Sequence, residues 1–146
     1  MRQYDPQQVT AVWTTVAGSV DILEGAVAET FLEIFEDNTR WGKEGDREGN
    51  YVRNKDNRRG GGCRVTITAK SPLNKTLNDL AIADDLGEAQ VGTIVVKDLN
   101  GDTLITLIDA YLQGPVRPSY GATAAPRVYT FDCSRVDQLI TGQDVV

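Results

Sequence analysis

Histidine is missing from this 146-residue chain. With it go the commonest general base, metal ligand and pH switch. Cysteine occurs only at Cys63 and Cys133. Two thiols without metal-like spacing make neither a disulfide framework nor a zinc site, and both read as reduced side chains packed like small hydrophobes. No apolar run approaches the roughly 20 residues of a membrane span. The opening MRQYDPQQ lacks the apolar core of an export signal, so the Asn74-Lys75-Thr76 sequon carries no weight. There is no nucleophile elbow, HExxH or Cys–His pairing. Nothing in the residues asks for a metal or a cofactor, and an enzyme ranks last among the function classes.

What is present suits one domain over residues 1–146, with 40% apolar and 25% charged residues. The net charge of −6 is unevenly spread. Residues 1–36 carry −5, residues 37–70 carry +4 and residues 71–146 carry −5. A basic belt between acidic ends fits a solvated loop, a nucleic-acid site or a complement to an acidic protein surface. Its densest part, RNKDNRRGGGCR, holds no aromatic, whereas single-strand binders interleave aromatics with their cations.

Val9 to Val16 alternates Val9, Ala11 and Trp13 against Thr10, Val12 and Thr14, the period of a half-buried strand. Ala26 to Glu36 is ambiguous. Val27, Phe31, Ile34 and Phe35 recur at helical spacing, which favours a helix. A strand would instead place Leu32 and Ile34 on one face and Glu29, Phe31, Glu33 and Phe35 on the other. A catalytic Glu29–Glu33 pair is outweighed by a solvated acidic face. Asp37 to Asn50 reads as a long polar loop, of the kind that is functional or disordered. Trp41 within it either anchors an interface or folds back on its own domain. After a short strand at Tyr51–Asn54, the segment KDNRRGGG reads as a second loop, with Gly60–Gly62 a flexible approach to the next strand.

Cys63 to Lys70 alternates Val65, Ile67 and Ala69 against Arg64, Thr66, Thr68 and Lys70, again a strand. Ser71 as N-cap and Pro72 at the first helical position open a helix. Its apolar stripe is Leu73, Leu77, Leu80 and Ala81, and Gly87 closes it. Next, TIVVKD and DTLITLI flank Asn100-Gly101, predicting a hairpin with a type I′ turn and φ > 0 at both central residues. Asp98, Asn100, Asp102 and Asp109 match calcium-loop positions, but the required glycine is displaced, which leaves the plain turn as the reading. Ala110–Ala125 begins as a strand, RVYTFDC alternates as another, and TGQDVV reads as a mobile tail. About seven strands and one helix predict a mainly β fold: an antiparallel two-sheet barrel or sandwich with one outer helix.

Several blocks taken together carry a resemblance: YDPQQV, TLNDL after AKSPLNK, VKDLNGDTL and RVYTFDC. From Tyr4 to about Val136 the chain resembles tail tube-like structural proteins of contractile-tailed, myovirus-type bacteriophages. Trp41, Gly42, Gly45 and Glu48 resemble that family's loop, which leads into a strand carrying Arg53. The GSVDILEGAVAE stretch departs from the pattern. The resemblance implies that FLEIF is a strand, with Leu32 and Ile34 facing the core. It implies six-fold rings of this chain stacked into a tube within a virion tail assembled in the host cytoplasm. Sheath, baseplate and tape-measure proteins become the expected partners. Glu29 and Glu33 become channel-lining candidates, in a lumen through which DNA passes without specific binding. Arg40, Trp41, Lys43, Arg47, Arg58 and Arg59 become candidates for subunit contacts. A baseplate or tube-initiating subunit of the same fold is the near alternative. A monomeric β-barrel binding module for a small ligand or nucleic acid is the distant one.

Overall fold

The computed structural model describes residues 3–142. Within them the chain runs through β1 (Val9–Thr15), β2 (Gly18–Asp21), β3 (Leu32–Glu36), β4 (Trp41–Gly45), β5 (Tyr51–Lys55), β6 (Gly61–Ile67), α1 (Leu73–Asp85), β7 (Gly92–Asp98), β8 (Thr103–Leu112), β9 (Arg127–Cys133) and β10 (Arg135–Leu139). All pairings are antiparallel. Hydrogen bonding follows the order β2-β1-β7-β8-β9-β6-β3, with β10 beside β8 and with β4 and β5 paired only to each other.

The long strand β8 is the hinge of two layers. Its first half, Leu104–Ile108, pairs with β10 and β7. Its end, Tyr111–Leu112, pairs with β9. Between them Asp109 takes φ 55°, a left-handed conformation that Asp tolerates better than most residues. The Ser134 hydroxyl donates to the Asp109 carboxylate at 3.1 Å and holds the corner. The layers form a sandwich rather than a closed barrel, because β2 and β3 end the pairing path.

The core follows the alternation in the sequence. Ala11 and Trp13 of β1, Val65 and Ile67 of β6, Ile94 and Val96 of β7, and Tyr129, Phe131 and Cys133 of β9 are buried. Trp13 meets Phe131 of the opposite layer edge to face, with ring centres 5.0 Å apart, and its indole N–H donates to the Ala110 carbonyl at 3.2 Å. The α1 helix adds Leu73, Leu77 and Ala81 to the same core. Asn74 is buried rather than available for glycosylation, and it accepts the Tyr129 hydroxyl at 2.8 Å. Burial in the apolar interior pushes the Cys63 thiol up to about 12, with nearby Cys133 adding to the effect. Both thiols are free and buried.

Several sequence expectations need correction. The helical spacing of 26–36 does not make a helix: Leu32 and Ile34 gain more by pairing with β6 and packing on the core, and packing of this kind routinely overrides weak propensity. The strand begins only at Leu32, which leaves Glu29 in the preceding bend. Helix α1 starts at Leu73, with Pro72 at the cap. Ser71 stands one residue further out, accepting the Leu73 N–H at 3.2 Å while donating to the Glu24 carbonyl at 2.7 Å. Gly87 does end the helix at φ 97°, with the Glu88 and Gly87 amides bonded back to the Ala83 and Asp84 carbonyls.

Gly61 and Gly62 are not a flexible approach but buried members of β6. A Cβ on Gly61 would strike the Phe35 carbonyl, and one on Gly62 the Phe131 carbonyl. Their bareness lets β3 and β9 close on β6. The Asn100-Gly101 turn is not of the primed type, since neither residue is among the positive-φ positions. Four residues separate the Asp98–Thr103 pair, and the Gly101 amide bonds the Asp98 carbonyl at 3.2 Å. Asn100 is buried for another reason. Its amide group donates to the Asp5 carbonyl and accepts from the Asp5 N–H, at 2.9 and 3.0 Å, clasping the N-terminal arm. Strand β10 went unseen in the sequence. The start of the supposed mobile tail is tied down: Thr141 accepts the Asp102 N–H at 2.9 Å and exchanges two further bonds with Thr103. Residues 143–146 of that tail lie outside the described residues.

Candidate assembly surfaces

The supposed long loop at 37–50 is half of a β-hairpin. Its alternation is concealed by glycine and charge, so composition alone reads as loop. Cross-strand pairs are Trp41–Lys55, Gly42–Asn54, Lys43–Arg53, Glu44–Val52 and Gly45–Tyr51. Strand alternation then sorts the side chains. Trp41, Lys43, Tyr51, Arg53 and Lys55 occupy one face, and Gly42, Glu44, Val52 and Asn54 the other. Every residue of β4 and β5 is exposed. Trp41 is 44% and Tyr51 67% accessible.

Contacts within the first face are specific. The Arg53 guanidinium stacks 3.6 Å from the Trp41 ring centre, with the Lys55 ammonium 5.8 Å from it. Lys43 stands 5.1 Å over Tyr51. These are cation–π distances. At the tip Asp46 accepts the Asn50 N–H at 2.8 Å and the Glu48 N–H at 3.0 Å. The Asn50 bonds hold its carboxyl below the ordinary range, and Gly49 supplies φ 90°. At the base Arg40 pairs with Glu36 at 2.7 Å.

The six interface candidates therefore divide. Trp41 and Lys43 share the cationic face, Arg40 braces the base and Arg47 is exposed in the tip. Arg58 and Arg59 lie in the loop after the hairpin and are engaged locally. Arg58 pairs with Asp56 at 2.8 Å, and the Arg59 guanidinium donates to the Asp56 carbonyl oxygen. The Arg58 hydrogen bond draws the Asp56 carboxyl down to about 2. Tyr51 and Lys55 complete this face with Arg53 but are not among the six candidates. Their period-2 spacing with Arg53 was a usable signal, but it pointed to a face only once β4 was known as the partner.

The channel-lining candidates are also separated. Glu33 is exposed on β3, 4.0 Å from the Arg64 guanidinium, which lies 4.4 Å over Phe35. Glu29 stands in the bend before the strand, beside a groove of about 600 Å³ formed with Thr66, Lys70 and Pro126. The calcium-like residues Asp98, Asn100, Asp102 and Asp109 are spread along the β7–β8 turn and the β8 corner. Among the described residues no group of three or more His, Cys, Asp or Glu is arranged to hold a metal ion.

Among the described residues the architecture is a two-layer antiparallel sandwich with one α-helix and a separate two-stranded hairpin. No family profile and no curated protein matches the chain in sequence. Solved structures match it in shape. The tube-terminating cap of the anti-feeding prophage superposes with a TM-score of 0.63 at 16% identity, covering 97% of this chain and 95% of that one. The sheath/tube terminator of PVC, an extracellular contractile injection system in its extended state, gives 0.59 at 13% identity over 96% and 99%. A chain of the PVC sheath–tube complex gives 0.54 at 13% identity over 90% and 88%. The chain thus shares its fold with the tube-terminating cap of the anti-feeding prophage and with the terminator and a sheath–tube component of the PVC contractile injection system.

Proposed function

We propose that the chain is a structural subunit of a contractile tail, forming six-fold rings that stack into the inner tube around a channel for DNA. The observation that supports this most directly is the β4–β5 hairpin on a tail-tube fold. An isolated two-stranded ribbon is marginal in water, and this one has no buried residue of its own. Trp41 and Tyr51 remain half-open until another molecule covers them. Repeated heterologous contacts of that kind close into rings. Burying the free edges at β2 and β3 between copies would remove a standing aggregation hazard.

In this reading Glu29 and Glu33 face the channel and repel passing phosphates, with Arg64 offsetting part of the Glu33 charge. Sheath, baseplate and tape-measure proteins are the proposed neighbours, and the virion tail is the proposed place. Negative-stain imaging of purified protein at rising concentration is the test. Rings and stacked tubes are expected, and a monomer at every concentration overturns the reading.

A second reading, a tube-terminating ring, draws support from the nearly complete mutual coverage with the two terminators, against 88% of the sheath–tube chain. It predicts single rings that do not elongate alone but bind the end of a preformed tube.

A further inference from the structure

The hairpin face and the end of α1 are both electrostatically unfavourable in the isolated chain, and they are opposite in sign. On the hairpin, Lys43 stands directly across from Arg53, and like charges at such a pair destabilise a ribbon. The face carries three cations, two aromatic rings and no carboxylate. On α1 the last turn has no basic residue, while Asp84, Asp85 and Glu88 gather where the helix dipole is already negative. Asp84 accepts the Gln90 N–H at 3.2 Å. Asp85 and Glu88 are exposed and enter none of the ion pairs found among the described residues. The one cation of the helix, Lys75, is taken by Asp79 at 2.9 Å. Amid these acids, Ile82 is 50% and Leu86 78% accessible.

From this pairing we infer that the Trp41–Lys43–Tyr51–Arg53–Lys55 face of one copy docks on the acidic, apolar C-terminal end of α1 in a second copy. The inference rests on the self-assembly reading and names its contact. The match is twofold. Aromatic rings meet Ile82 and Leu86, which otherwise stand in water, while Lys43, Arg53 and Lys55 meet Asp84, Asp85 and Glu88. Each surface relieves the repulsion stored in the other. A nucleic-acid partner fits less well, because both rings already carry their own cations and the chain as a whole is −6.

The test is a charge swap read by sedimentation velocity and negative stain. Lys43→Glu with Lys55→Glu, and separately Asp85→Lys with Glu88→Lys, should each raise the concentration needed for assembly by about tenfold or more. All four changes on one chain should restore most of the loss. These positions are exposed and the changes remove like-charge repulsion within the chain, so circular dichroism should match wild type and the melting temperature should be no lower. The milder Asp85→Asn with Glu88→Gln should give a smaller shift in the same direction. If the wild type assembles and the α1 variants assemble equally well, this contact is wrong while the tube reading stands. Failure of the four-fold variant to recover, with each pair impaired, also overturns it. So does an oligonucleotide that binds wild type and not the Lys43→Glu, Lys55→Glu variant. A wild type that never associates overturns both proposals.

Discussion

The chain has two tryptophans, and the two halves of the molecule use them in opposite ways. Trp13 is fully buried, edge-on to Phe131, with its N–H spent on a carbonyl. Trp41 is nearly half exposed, and the nearest thing over its ring is the guanidinium of Arg53. Trp13 joins two layers that are each otherwise incomplete. Trp41 completes nothing within its own chain. The sandwich is therefore a finished object, and the hairpin is an unfinished one whose missing half is proposed to be another molecule.

Breaking the finished half should produce the largest effect. Trp13→Ala removes the core's largest buried side chain and should cost about 3–5 kcal/mol, measured by denaturant unfolding. A loss below ~1 kcal/mol would show that the layers do not depend on this contact. Asn100→Ala comes next. It breaks the clasp on Asp5, and leaving that backbone unpaired should cost about 1–3 kcal/mol. A lowered urea midpoint at unchanged m-value is the expected signature.

Trp41→Ala sharpens the contrast. Monomer stability should change by no more than about 0.5 kcal/mol, while ring or tube formation shifts to higher concentration. A variant with a lowered melting temperature and wild-type assembly would assign Trp41 to the finished half instead.

Smaller effects probe charge. Asp56 should titrate near 2 by NMR, and Arg58→Ala should return it toward 3.8. Because its folded value is depressed, any stability it lends is present above about 3.8 and fades as pH falls toward about 2. A normal value in wild type would dissolve the Arg58 contact. Smallest is Glu29→Lys with Glu33→Lys. Assembly should persist, and DNA exit from particles should slow at low salt, less so at high salt. Equal exit rates at low salt would remove these residues from the channel wall.

The sequence was readable where each strand had one wet face and one dry face. Val9–Thr15, Cys63–Ile67 and Arg127–Cys133 alternate cleanly because one side of each packs on the shared core. Helix α1 was equally plain from its stripe and closing glycine. Legibility failed where that asymmetry was absent. Strands β4 and β5 have no dry face, so no apolar alternation marked β4 and Trp41 stood alone. Strand β10 buries only Val136, too little to show a period. The Asn-Gly pair misled because Asn100 serves its side chain rather than a left-handed backbone. The candidate face was half-visible for the same reason: Trp41 and Lys43 could be singled out, but the face they share with Tyr51, Arg53 and Lys55 exists only after pairing.

One corner of the sandwich has a practical consequence. Asn100 holds Asp5, and Thr141 is bonded to Asp102 and Thr103. Asp5 and Thr141 are thus held within a few residues of the same turn. A fluorescent protein, affinity tag or enzyme attached at Asp5 or at Thr141 would sit at the same corner. Joining the two segments by a short linker and reopening the chain elsewhere should preserve the fold. The hairpin tip at Arg47–Glu48, far along the chain from that corner, is an exposed place to reopen it and would carry both new ends.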